Sequence, residues 1–155
     1  KRSLITSDIV AYGFGHGLSE FILLGVMGLL TNIIVLQAVH SGQASQLPSF
    51  LVGQVNQLTG FAVVMSLFER LVALLLQVLL TAWDFLAVTK HKLSFYFGAI
   101  ILHAAIDFLA GAYQQGIVSN LLLIEAILAI YVLGVGLLTS RIWKKEGSHG
   151  IIRNT

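Results

Sequence analysis

The chain has 155 residues, of which 57% are hydrophobic and only 10% charged, and its mean hydropathy is +0.89. That composition excludes a disordered chain and matches a polytopic membrane protein. The formal net charge is +2, and there is no cysteine, which excludes disulfides and thiol chemistry.

A span needs about 20 mainly apolar residues, and the sequence predicts four. The first is near 6–38, long enough to tilt or to continue as an interfacial segment. The link from His40 to Gln57 is rich in Ser, Gln and Gly, holds the sole proline, Pro48, and reads as a loop. The second span is near 58–88. Lys90-His91-Lys92 is a turn, followed by a third span near 93–112. Gln114-Gln115-Gly116 is another turn, and the fourth span is near 118–142. The expected fold is all-α: a single transmembrane domain over 1–155, with a four-helix core and a polar site at mid-membrane. Because the chain begins at Lys1, it reads as the later part of a longer protein.

Basic residues predict the orientation. Lys1 and Arg2 precede the first span, Lys90 and Lys92 follow the second, and Arg141, Lys144, Lys145 and Arg153 follow the fourth. The loops at 40–57 and 113–118 carry none, so the positive-inside rule places both ends in the cytoplasm. A bacterial cell membrane is the expected location. These charges sit at span ends, where they orient the protein and touch anionic lipid, and they need no nucleic-acid partner. Trp83, Trp143 and Tyr96 lie near span ends and suit an aromatic belt.

Seven acidic residues remain, and Glu20, Glu69 and Asp107 fall inside the apolar runs. An ionisable group at the bilayer centre costs roughly 2.5–3.5 kcal/mol on insertion scales, so such groups tend to mark function. Two of the three have a histidine four residues earlier, His16 before Glu20 and His103 before Asp107. Residues at i and i+4 share a helix face. At 1.5 Å of rise per residue, His16 and His103 lie about 15 Å and Glu20 and Asp107 about 20 Å from the inner face, and Glu69 and Arg70 lie about 16–18 Å from the outer face. Three helices thus present His, Glu, Glu, His and Asp in one layer. Imidazole and carboxylate are zinc ligands, and a carboxylate also serves as general base toward a metal-bound water. Without metal, Glu activates water while His stabilises the oxyanion.

Each pair also has a structural reading, as a hydrogen bond between helices. Arg70 adjoins Glu69, and since helix neighbours do not face each other it is expected to pair with an acid on another helix. Asp84 and Glu125 are near span ends and read as interfacial. Gly13 and Gly17 form a small-xxx-small pair suited to close helix packing.

The elements Gly-His16-Gly-Leu-Ser-Glu20, Phe68-Glu69-Arg70 and His103-Ala-Ala-Ile-Asp107-Phe, in that order, resemble the YhfC family of intramembrane metalloproteases. That family is similar to the type II CAAX-prenyl and bacteriocin-processing proteases, to PrsW, and to the non-proteolytic Aph subunit of gamma-secretase. The resemblance covers roughly residues 12–115. It implies that Glu20 and Glu69 activate water or bind metal, that His16 and His103 are ligands or oxyanion stabilisers, and that Asp107 orients or supplements His103. It implies a divalent metal such as zinc, held by some of His16, Glu20, Glu69, His103 and Asp107, and a peptide or membrane-protein substrate. It also implies a histidine eight residues after Glu69. This chain has Gln77 there, and glutamine is a poor zinc ligand. The first expectation is therefore an intramembrane endopeptidase. The alternatives are a non-catalytic membrane scaffold of the same fold and an ion- or proton-coupled transporter, the latter disfavoured by the short chain and the lack of an inverted repeat.

Overall fold

Apolar runs of this length leave every backbone N–H and C=O in need of an internal partner, and the α-helix supplies one within each segment. The computed structural model describes residues 6–115 and 117–147, and among these it is helical with no strand. The helices are α1 (Thr6–Glu20), α2 (Met27–His40), α3 (Ser49–Asn56), α4 (Gly60–Lys90), α5 (Leu93–Gln114) and α6 (Leu121–Ile142). A π-helical segment, Phe21–Val26, joins α1 to α2, and another, Trp143–Gly147, follows α6. Among the described residues, four helical runs are long and apolar enough to cross a membrane: Ser7–His40, Gly60–Lys90, Leu93–Tyr113 and Leu121–Glu146. Lys1 and Arg2, before the first predicted span, Gly116, in the second predicted turn, and Arg153 lie outside the described residues.

The four runs agree with the predicted spans, and three features differ. The π-helical segment begins immediately after Glu20, and the Met27 amide bonds back to the Ile22 carbonyl. The extra residue per turn changes which face every later side chain occupies. The predicted loop after His40 contains the short helix α3. Its first turn is closed by the Pro48 carbonyl, which accepts from the Leu51 and Val52 amides, and Val55 buries its apolar face. The turn after α4 is built on His91, whose φ of 54° is left-handed. The Lys92 amide then reaches the Ala87 carbonyl at 3.1 Å, closing the helix end with a six-to-one hydrogen bond.

The chain forms two compact units, Lys1–Gly17 with Val72–Thr155, and Leu18–Leu71. In the first, α6 presents a stripe of Ile124, Leu128, Val132, Val135 and Thr139, three or four residues apart. It packs with Val72, Leu76, Leu80 and Trp83 of α4 and Ala99 of α5. In the second, α3 folds back on α2, and Val35 and Val55 are the residues most enclosed. The outward faces are apolar, with Phe108 80% and Ile130 69% exposed, as a surface solvated by lipid requires.

Two residues assigned from depth to the interface are interior. Trp83 is 8% exposed, and its indole Nε1–H donates to the Thr139 hydroxyl at 2.8 Å. Phe95 meets it edge-on at a centroid distance of 6.0 Å. Glu125 is 4% exposed beside the α6 stripe. Depth along a helix does not specify which face a residue occupies, and for both residues the inward face decides. Trp83→Phe is expected to destabilise the folded protein by about 1–3 kcal/mol, because it strands the buried Thr139 hydroxyl. Thermal unfolding in detergent measures this, and Trp83→Phe with Thr139→Val should recover part of the loss.

Candidate functional site

His103 is on α5 and Asp107 one turn later, so the helix itself brings them together, with His103 Nε2 3.3 Å from Asp107 Oδ2. On its other side the ring meets α4, where Gln77 Nε2 is 3.5 Å from His103 Nδ1. The result is a chain Gln77–His103–Asp107 spanning two helices of the first unit. Gln77 is 5% exposed, whereas the Asp107 side chain is 65% exposed. The buried end of the polar chain is therefore an amide and its open end a carboxylate.

Gln77 is enclosed by what surrounds it. Its backbone carbonyl accepts from the Thr81 hydroxyl at 2.8 Å. A Cβ added at Gly17 would come within 3.2 Å of Gln77 Cβ and 2.6 Å of Leu74 Cδ1. One added at Gly13 would lie 2.7 Å from the Val78 backbone. The two glycines thus let α1 lie directly on α4, and Gly17 faces Leu74 and Gln77.

His16 is exposed on α1 and lies within electrostatic range of Asp84 on α4. Asp84 also lines a cavity of about 560 Å³ with Asp8, Ile9, Tyr12, Thr81, Phe85 and Val88. Its interfacial reading therefore omits a role beside His16. Gln77 and Asp84 are seven residues apart on α4, two helical turns along one face, and that spacing was the available signal.

The second unit holds Glu20, Glu69 and Arg70. Glu20 ends α1 at the junction with the π-helical segment. Arg70 pairs with its neighbour Glu69, contrary to the expectation of a partner on another helix. The reason is the length of arginine and the space above it. The glycine surface at Gly25 lies against the Arg70 stem, with a Cβ there 3.4 Å from Arg70 Cγ. The guanidinium folds along its own helix onto the carboxylate. Their side chains are only 21% and 27% exposed, and neutralising each other lowers the cost of placing both in an apolar layer.

Zinc takes imidazole nitrogen and carboxylate oxygen at about 2.0–2.2 Å, with three or four protein donors converging. The chain supplies the right kinds of donor. Among the described residues, however, no group of three or more His, Asp or Glu side chains is gathered as a metal would need. Both ring nitrogens of His103 are engaged, one by Asp107 and one by Gln77. As arranged, these residues do not fit a metal centre.

The helical architecture, with four helices long and apolar enough to cross a membrane, defines a polytopic membrane protein, and the His103–Asp107 pair lies on one of those helices. The family model described as YhfC intramembrane metalloprotease matches residues 1–128, and the chain belongs to that family. It is 28% identical over 141 residues to the uncharacterized membrane protein YhfC of Bacillus subtilis (strain 168), covering 84% of this chain and 54% of the relative. The chain thus spans about half the length of that curated relative. No solved structure matches it.

Proposed function

We propose that the chain is part of a membrane-embedded endopeptidase that hydrolyses a peptide bond of a membrane-associated peptide or protein within or beside the bilayer. The observation that carries this reading is the His103–Asp107 pair on a membrane-spanning helix, in a family described by intramembrane proteolysis. Glu20 or Glu69 takes a proton from water as its oxygen attacks the carbonyl carbon. His103, oriented by Asp107, stabilises the oxyanion that develops. Collapse breaks the C–N bond, and the glutamic acid returns its proton to the leaving amine. No step calls on a metal. The basic residues at the span ends favour a cytoplasmic location for both ends of this segment, and the Bacillus subtilis relative favours a bacterial membrane.

The test is cleavage by the purified protein in liposomes against a panel of single-span peptides. His103→Ala should abolish product formation while the variant remains folded. Retained cleavage by the pure variant refutes the assignment.

Buried Gln77, standing where the family resemblance implies a histidine, favours a second reading: a non-catalytic scaffold that stabilises a partner membrane protein. On that reading Glu20→Ala leaves function intact, and disruption of the Gly13–Gly17 face removes it.

A further inference from the structure

We infer that Gln77 is a positioning residue that closes His103 to divalent metal ions and commits the ring to Asp107. The inference goes beyond the peptidase reading and stands whether or not the chain cleaves peptides. Three observations carry it. Gln77 Nε2 lies 3.5 Å from Nδ1, the ring nitrogen that Asp107 leaves available. Gln77 is 5% exposed, and its Cβ faces Gly17 of α1, so the residue is enclosed between α1, α4 and the His103 ring. The surrounding medium is apolar, so an amide turned away from the ring would lose its hydrogen bond without replacement.

An amide serves either state of the ring. Its N–H faces a bare Nδ1, and after a half-turn its carbonyl faces Nδ1–H. A metal ion needs the bare nitrogen and must displace the amide to reach it. A carboxamide is a weak ligand for zinc, so the displaced group does not join the coordination shell. Asp107 on Nε2 resembles the carboxylate–histidine support seen behind metal-bound imidazoles, but here the nitrogen that would carry the metal is occupied by protein. At this position glutamine in place of histidine removes one donor and blocks a second.

The experiment uses the full chain in nanodiscs, with nitrogen-15 histidine, stripped with chelator and then exposed to zinc. His103 resonances are assigned with His103→Asn, which also separates them from the exposed His40 and His91. In the wild type, zinc should leave both His103 nitrogens unshifted and remain substoichiometric after desalting. Gln77→His should retain stoichiometric zinc and shift His103, and adding His103→Asn should abolish that gain. Gln77→Ala, which uncovers Nδ1 without adding a donor, should let zinc shift His103 should the histidine variant fail to fold. A zinc-dependent shift of His103 in the wild type overturns the proposal, as does a Gln77→Ala protein in which His103 still ignores zinc.

Discussion

Glu20→Gln is expected to lower peptide cleavage by about 10²–10⁴-fold, the usual contribution of a positioned general base. The amide keeps the shape and size of the side chain and removes only its capacity to take a proton. Glu69→Gln is the necessary comparison. Glu20 sits at the junction of α1 with the π-helical segment, a feature frequent at functional sites, and Glu69 is paired with Arg70. The larger loss is therefore expected at Glu20, with Glu69→Gln acting partly through an arginine left uncompensated in an apolar layer. Initial rates in liposomes, with thermal unfolding alongside, separate the two effects. Equal activity of Glu20→Gln and wild type removes Glu20 from the chemistry.

Gly13→Val is the substitution expected to damage the fold most. Its new carbon would lie 2.7 Å from the Val78 backbone and 2.9 Å from the Thr81 hydroxyl, and a backbone cannot rotate aside as a side chain can. Overpacking of this kind costs about 1–3 kcal/mol, occasionally more. Gly134→Val on α6 meets nothing within 4 Å and serves as the control for β-branching in a helix. Unfolding in detergent should show a large loss for the first and a small one for the second. The same pair separates the two functional readings. A peptidase loses activity with both Glu20→Gln and Gly13→Val, whereas a scaffold loses function only with Gly13→Val.

The helices were legible because the bilayer imposes a length and a composition that can be counted along the chain. Faces were less legible. Trp83 and Glu125 lie near span ends, and depth alone assigned them outward. The α6 stripe that buries Glu125 beside Ile124 and Leu128 depends on which neighbour the helix meets. The π-helical segment after Glu20 has no sequence signal stronger than Gly25, yet it changes the face of every later residue in its run. The His103–Asp107 pair was legible because four residues of one helix suffice to form it. Gln77 was legible as a departure but not as a partner, because its meeting with His103 joins positions 26 residues apart. Arg70 was misassigned because helix geometry constrains Cβ positions far more than the reach of a guanidinium.

The most direct test is cleavage of the single-span peptide panel by the wild-type protein in liposomes made up in heavy-oxygen water, read by mass spectrometry. The account predicts cut peptides carrying one heavy oxygen in each new carboxyl group, and little or none with Glu20→Gln. Intact peptides with the folded wild type, or undiminished cleavage by pure Glu20→Gln, would contradict it.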